Sequence, residues 1–377
     1  MATLITNVNL FDGREFHGPS TVFFSDDVIR FVNTNSASAI PDDKGESVTV
    51  IDGSGQTLLP GLIDAHVHAD HASAASAFPP FGVTTVLDMG TRKTTEELDS
   101  LRQRTATAES NNTPLPSFLS SGLFASAPGS RHAMMFRLPD AEQVKSPSEA
   151  EPFVQARVAD GADYIKLIAD MPGFPEETLA ALAAAARRHG KLSVAHAANS
   201  MAYARAARAG VDVLTHIPTD AVLPDELVAQ MAAEGRAVVP TVIMMAGMIP
   251  VMQAARPQMT FSVENALASV KKMFDAGIPV ALGSDSNDAP GLAVPYGSSL
   301  YDELEFMVRA GLTETEALRS GTSVSAGIFG LTDRGVVAEG KRADLILVDG
   351  NPLDGIQAMR RLKKVWVAGV EVSQLAV

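Results

Sequence analysis

Short apolar runs that each stop at a polar residue recur along this chain of 377 residues. Runs of this kind are typical of parallel strands that are buried on both faces. Helical patterns lie between several of them, at residues 176–189, 200–209 and 224–234. The runs end at His66 or span residues 82–88, 116–122, 162–166, 191–196, 211–216, 235–241 and 278–285. Eight strands that alternate with helices predict an α/β fold, the (β/α)8 TIM barrel, which carries catalytic residues at the carboxyl ends of its strands.

Two histidines at the end of the first run, His66 and His68, suggest a metal site. Residues two apart on a strand point to the same side, so both imidazoles can face one ion. The pair alone fits exposed or core histidines equally well. Four further polar groups end later strands on the same predicted face, namely Lys166, His196, His216 and Asp285.

This set of side chains resembles the amidohydrolase superfamily, specifically its members with two metal ions and a carboxylated lysine. The motifs that carry the resemblance are DGSGQTLLPGLIDAHVH at 52–68, GVTTVLDMG at 82–90 and RGVVAEGKRADLILVDGNP at 334–352. The segments GADYIK at 161–166 and GSRH at 129–132 are most similar to the imidazolonepropionase-like, Xaa-Pro dipeptidase-like and ochratoxin amidase-like group. The resemblance also implies that residues 1–58 and 336–377 form one small β-sandwich beside a barrel of residues 59–335.

The resemblance assigns the metal ligands. His66, His68 and Asp285 would hold one divalent ion, His196 and His216 the other, and Lys166 would bridge them after carboxylation by CO2. Imidazole and carboxylate ligands suit zinc. A salt-bridged Lys166 that closes a strand, or a single-ion site with an uncarboxylated lysine, are the alternatives.

Two ions that share a hydroxide would lower its pKa and polarise a scissile carbonyl. Asp285 would act as general base, taking the proton and passing it to the leaving group. We therefore expect hydrolysis of an amide C–N bond, in an N-acyl amino acid or a dipeptide. Lactonase, cyclic amidase or phosphotriesterase activity at the same centre is the alternative, and a non-catalytic scaffold is a third interpretation.

Five residues are candidates for substrate contacts. Arg131 and His132 follow the third strand and could hold a carbonyl oxygen or a carboxylate, or could lie in a solvated loop. Met244 and Met245 lie after the seventh strand in a methionine-rich segment, which we interpret as a loop that accepts an apolar or aromatic group; a helix core face is the alternative. Tyr301 occupies a position where related chains often carry histidine.

Composition limits the partners. The net charge is −14, from 30 basic and 44 acidic residues, which argues against nucleic acid as a partner. No apolar run is long enough for a membrane span, and no signal peptide is recognised. The chain has no cysteine, which agrees with a cytoplasmic protein. We expect a small-molecule substrate and leave assembly into a homo-oligomer open.

Overall fold

A computed structural model describes residues 2–34, 48–69, 71–106 and 114–373 of the chain. The strands are β1 Ala2–Phe11, β2 Phe16–Ser25, β3 Val28–Asn33, β4 Val48–Asp52, β5 Gln56–Pro60, β6 Leu62–Val67, β7 Val83–Asp88, β8 Ser117–Ser120, β9 Ile165–Ile168, β10 Ser193–His196, β11 Val213–Thr215, β12 Ala237–Val239, β13 Leu345–Asp349, β14 Leu362–Val367 and β15 Val370–Glu371. The α-helices are α1 Ala72–Ala75, α2 Thr95–Ala106, α3 Arg131–Met135, α4 Ala150–Ala159, α5 Glu176–Arg188, α6 Ser200–Arg208, α7 Asp225–Ala233, α8 Val242–Ala255, α9 Val263–Asp275, α10 Ser299–Arg309, α11 Glu314–Arg319 and α12 Ser325–Ile328.

Strands from both ends of the chain form one mixed sheet, in the order β15-β14-β13-β5-β1-β2-β3, with β4 also paired to β1. Its apolar side chains form a separate small core, in which the Phe24 and Trp366 rings lie edge to face with centroids 5.5 Å apart. Strand β5 belongs to this sheet and β6 begins the next layer, so the chain passes between the two at Gly61. A two-layer sandwich, and domain limits at residues 58 and 336, remain predictions.

The central strands form two parallel sheets, β6-β7-β8 and β9-β10-β11-β12. Single parallel bridges join the neighbouring segments, from Ala125 to Leu167, from Val238 to Val280 and from Val67 to Ser286. The last predicted strand, residues 278–285, therefore contacts its neighbour through a single bridge at Val280 and does not form a regular strand. The arrangement is a TIM-barrel-like α/β fold in which helices cover the outside of the parallel strands.

Several predicted boundaries need correction. Strand β9 continues past Lys166, because Leu167 and Ile168 stay paired with β10. The methionine-rich segment that we interpreted as a loop is helix α8, despite the internal Pro250. The buried carboxylate of Glu303 explains its start, since it accepts hydrogen bonds of 2.8 Å from the backbone N–H groups of Val242 and Ile243.

Over the residues that the structure describes, no helix is both long and apolar enough to cross a membrane.

Gly283 permits the close approach of the 280–286 segment to strand β6. A Cβ atom there would lie 2.5 Å from Cγ1 of Val239 and 3.0 Å from Cβ of His66. We expect Gly283→Ala to lower the free energy of unfolding by about 1–3 kcal/mol, because packed backbone must shift. Gly18→Ala is the matched control, since its Cβ would meet nothing within 4 Å. Urea denaturation of both variants tests this, and equal stability of the two would contradict it.

Candidate metal centre and substrate cavity

The Asp285 carboxylate gathers three of the predicted ligand histidines. Its Oδ1 lies 3.4 Å from Nε2 of His66 and 3.3 Å from Nε2 of His68, and its Oδ2 lies 3.7 Å from Nδ1 of His216. The ring centroids of His216 and His196 are 4.3 Å apart. The structure therefore brings the four histidines and the aspartate to one place at the carboxyl ends of the parallel strands.

Unpaired nitrogen atoms at this centre fit a metal ion. Three buried nitrogen atoms form no hydrogen bond with the described part of the chain. They are both ring nitrogens of His66 and Nε2 of His216. Such groups are costly to bury without a partner. Three possible ligand atoms lie within 4.8 Å of one another, one each from His66, His216 and Asp285. Burial lowers the pKa of both histidines well below its usual value, which keeps them in the neutral form that binds metals.

Lys166 is buried beside these groups and is only 2% exposed. Its Nζ donates a hydrogen bond of 3.1 Å to Oγ1 of Thr215, the residue before His216. Among the described residues it forms no ion pair, so the salt-bridged alternative has no partner for it. Burial lowers the pKa of Lys166 to about 7, which makes the neutral amine accessible near neutral pH.

The carboxylate of Asp170 contacts the imidazole ring of His196. Its Oδ2 lies 2.9 Å from Nε2 of His196, and its Oδ1 accepts a 2.9 Å hydrogen bond from the backbone N–H of Ala198. Burial alone would raise the pKa of Asp170, but His196 and these hydrogen bonds hold it well below its usual value. An ionised partner on Nε2 leaves Nδ1 of His196 for a metal ion, and such partners orient ligating histidines. Thr241 does the same for His216, with 2.9 Å between its Oγ1 and Nδ1.

Three residues of the centre adopt the left-handed backbone conformation, which is uncommon for residues other than glycine. The φ angles are 70° at His216, 46° at Thr241 and 58° at Asp285. Backbone hydrogen bonds enforce the turns, from Asp285 N–H to the carbonyl of His66 and from His216 N–H to that of Val239. Strain of this kind at neighbouring strand ends is typical of functional sites.

A cavity of about 410 Å³ opens beside the ligands. His132, Asp170, His196, His216 and Asp285 form its polar part. The predicted contacts Arg131, Met244 and Met245 also line it. The remaining wall is mostly apolar and consists of Met135, Met171, Met248, Val251, Met252, Ala255, Phe261 and Leu292, with Ala198, Asn199 and Arg256. The volume is within the range of small-molecule sites.

The predicted substrate contact at Tyr301 is not supported by this geometry. Tyr301 is buried in α10, does not line the cavity, and donates a 2.6 Å hydrogen bond to the carbonyl of Phe81. Its hydroxyl supports the turn before β7 instead. The sequence reasoning also missed Asp170, Thr241 and Arg256. Thr241 carried a signal, since it ends a predicted strand in the same way as the ligands do, whereas nothing in the sequence linked Asp170 to His196.

A TIM-barrel-like fold with a buried cluster of histidines and carboxylates is an arrangement suited to metal-dependent hydrolysis. Comparison with known proteins agrees: residues 57–372 match the family model described as the amidohydrolase family. The chain belongs to this family, and it is a hydrolase that acts on carbon–nitrogen bonds with the help of metal ions. The resemblance to the amidohydrolase superfamily is thereby confirmed, whereas two metal ions and a carboxylated lysine stay predictions.

Individual relatives are distant. The imidazolonepropionase of Salinispora arenicola is 24% identical over 389 residues, covering 92% of this chain and 90% of the relative. A Xaa-Pro dipeptidase crystallised with methionine in its active site matches with a TM-score of 0.80 at 24% identity, over 98% of this chain and 99% of that one. The ochratoxinase of A. niger matches with a TM-score of 0.78 at 21% identity, over 100% and 96% of the chains. These structures support the fold.

Replacing Asp170 should weaken metal binding through His196. We expect Asp170→Asn to lower the affinity for zinc about 10- to 100-fold, because the amide no longer holds the imidazole as an anion does. Titration with zinc, followed by calorimetry, measures this. Asp160→Asn is the control, since Asp160 pairs with Arg157 on the surface. An unchanged affinity for zinc would show that Asp170 does not orient the ligand.

Proposed function

We propose that the protein is an amidase or dipeptidase that hydrolyses the amide bond of N-acyl amino acids or dipeptides with an apolar or aromatic group. The observation that carries the proposal is the junction of two environments in one cavity. Buried ligands with unsatisfied nitrogens lie on one side, and a methionine-rich wall lies on the other. Polar groups that act on an amide and a wall that binds an apolar substituent are both supplied there.

The proposed centre holds two divalent ions, with zinc as our choice. His66, His68 and Asp285 would bind one ion, His196 and His216 the other, and carboxylated Lys166 both. When bound, such ions supply a nucleophile at neutral pH and polarise the carbonyl of the substrate.

Asp285 is the proposed general base. Its carboxylate faces both the histidines and the cavity. From this place it can accept a proton from the water that attacks the carbonyl carbon. It can then deliver this proton to the leaving nitrogen. The C–N bond then breaks, and a carboxylic acid and an amine leave the site.

Arg131 and His132 are the proposed contacts for the substrate's polar end. Both line the cavity, and the ring of His132 lies 4.4 Å from that of His196, centroid to centroid. Burial lowers the pKa of His132 to about 3, so the ring is neutral and can donate a hydrogen bond to a carbonyl oxygen. Arg131 supplies a permanent positive charge for a carboxylate.

The remaining expectations stay part of this proposal. We propose a closed eight-stranded barrel with a β-sandwich beside it, a cytoplasmic location and no nucleic-acid or membrane partner. A lactone, cyclic amide or phosphotriester remains the alternative substrate, because the same centre could attack each of them.

The first experiment is the metal content per chain, followed by hydrolysis of a panel of substrates. The panel contains N-acyl amino acids, dipeptides, aryl amides, lactones and phosphotriesters. About two ions per chain with selective amide cleavage supports the proposal. Cleavage of lactones or phosphotriesters alone would favour the alternative substrates. The absence of bound metal after loading with zinc and bicarbonate would refute the proposed metal centre.

Removing the charge of Asp285 separates its two roles. We expect Asp285→Asn to lower kcat by about 10²- to 10⁴-fold, because the amide cannot take the proton. The retained amide oxygen should preserve most of the metal content. Parallel measurements of kcat and of bound metal decide the matter, and an equal loss of both would argue against the base role.

Carboxylation of Lys166 should depend on pH and on CO2. Because the lowered pKa of Lys166 is about 7, the neutral amine that reacts with CO2 becomes more abundant as the pH rises from 6 to 8. We therefore expect activation of metal-free protein by zinc to become faster over this range when the bicarbonate added at each pH keeps dissolved CO2 constant. Lys166→Arg, which stays protonated, should not respond to bicarbonate. If wild-type activation ignored bicarbonate at every pH, the single-ion alternative would be favoured.

A further inference from the structure

Helix α8 contributes more residues to the cavity lining than any other helix. Its lining residues recur at helical spacing on one face, namely Met244, Met245, Met248, Val251, Met252, Ala255 and Arg256. From Met245 to Ala255 this face extends about 15 Å, at 1.5 Å per residue. The cavity is therefore elongated along α8.

The two ends of α8 differ in their surroundings. At the first end, Thr241 contacts His216, and Glu303 fixes the initial turn. Met245, one turn further on, is buried, whereas Val251 is 41% exposed. The face thus leads from the reacting groups outward to solvent.

Other parts of the chain add apolar side chains to the cavity lining. Met135 and Met171 are both about half exposed, at 58% and 47%, although they are large apolar side chains. Phe261 and Leu292 are also part of this lining. Large exposed apolar side chains that gather around a cavity indicate a ligand surface, and flexible methionines adapt to a chain of many conformations.

We infer that the substrate is an N-acyl amino acid with a long aliphatic acyl chain, on the order of ten carbon atoms by the length of the α8 face. This inference rests on the proposed amidase function and specifies its substrate class. The amino-acid carboxylate binds near Arg131 and His132, the amide lies beside Asp285, and the hydrocarbon follows the methionine face toward Ala255. Arg256 is exposed, and its methylene stem can border the hydrocarbon while its charge stays in water.

The test is a chain-length series at constant head group. N-acetyl, N-hexanoyl, N-octanoyl, N-decanoyl and N-dodecanoyl derivatives of one amino acid are compared with its N-benzoyl derivative. We expect kcat/KM to rise about two- to fourfold per added methylene up to about ten carbons and then to level off. A series that stays flat or falls beyond the hexanoyl compound, or a clear preference for the benzoyl compound, would overturn the inference while leaving the amidase function intact. Hydrolysis of none of these compounds by metal-loaded protein would instead refute the proposed function.

A matched pair of variants locates the hydrocarbon. Ala255→Phe places a ring at the outer end of the lining face, and Ala254→Phe places it on the neighbouring residue, which does not line the cavity. We expect Ala255→Phe to lower the ratio of decanoyl to hexanoyl kcat/KM at least fivefold, and Ala254→Phe to leave it unchanged. Equal ratios in the two variants would overturn the placement along α8.

A binding measurement keeps the inference testable if Ala255→Phe does not fold. N-alkyl amino acids, in which an amine replaces the amide, are not hydrolysed and can be titrated into wild-type protein by calorimetry. Binding that strengthens with alkyl length and shows a negative heat-capacity change would support burial of the chain. Affinity independent of length would contradict it.

Discussion

The position of Asp285 is the constraint on which the rest of the centre depends. Its carboxylate stands within 3.3 to 3.7 Å of nitrogen atoms of His66, His68 and His216. His66 and His68 lie at the end of β6 and His216 follows β11, so the aspartate joins two separate strand ends. A carboxylate and neutral imidazoles gathered in a buried place are far more stable with a cation than without one, since each group otherwise loses hydration without compensation. The folded chain therefore favours the binding of a cation at the ends of its parallel strands.

Residues around the predicted metal ligands hold these ligands in position. Thr241 and Asp170 orient two of the histidines, and Glu303 orients the helix that follows Thr241. Burial raises the pKa of Glu303 to about 8, even though two backbone N–H groups favour its charged form. The same helix then supplies the methionine face of the cavity. The proposed metal ligands and the proposed contacts for an apolar group thus depend on the same helix, and a change that disturbs α8 should affect both.

The strand ends were the predictable part of the molecule. Apolar runs with a polar terminus indicated the parallel strands, and the histidines and Asp285 came together because the carboxyl ends of parallel strands meet at one edge. The extent of β9 beyond Lys166 was not predictable, since Leu167 and Ile168 look the same inside a strand or after it. Helix α8 was misinterpreted because Gly247 and Pro250 disfavour a helix locally, and the stabilising carboxylate of Glu303 is distant in sequence. The location of Tyr301 away from the cavity lining was not predictable, because a position shared with related chains says nothing about which way a buried side chain points.

The mixed sheet built from both ends of the chain has a consequence for biosynthesis. Leu58 on β5 pairs with Leu347 on β13. Strands β1 to β4 find their partners within the first 60 residues, but β5 emerges from the ribosome long before its partner β13 is made. Pairing across so long a stretch of chain is slow to form and leaves a strand edge open to wrong partners. We therefore expect the open edge of β5 to be a site of wrong pairing until β13 has been made.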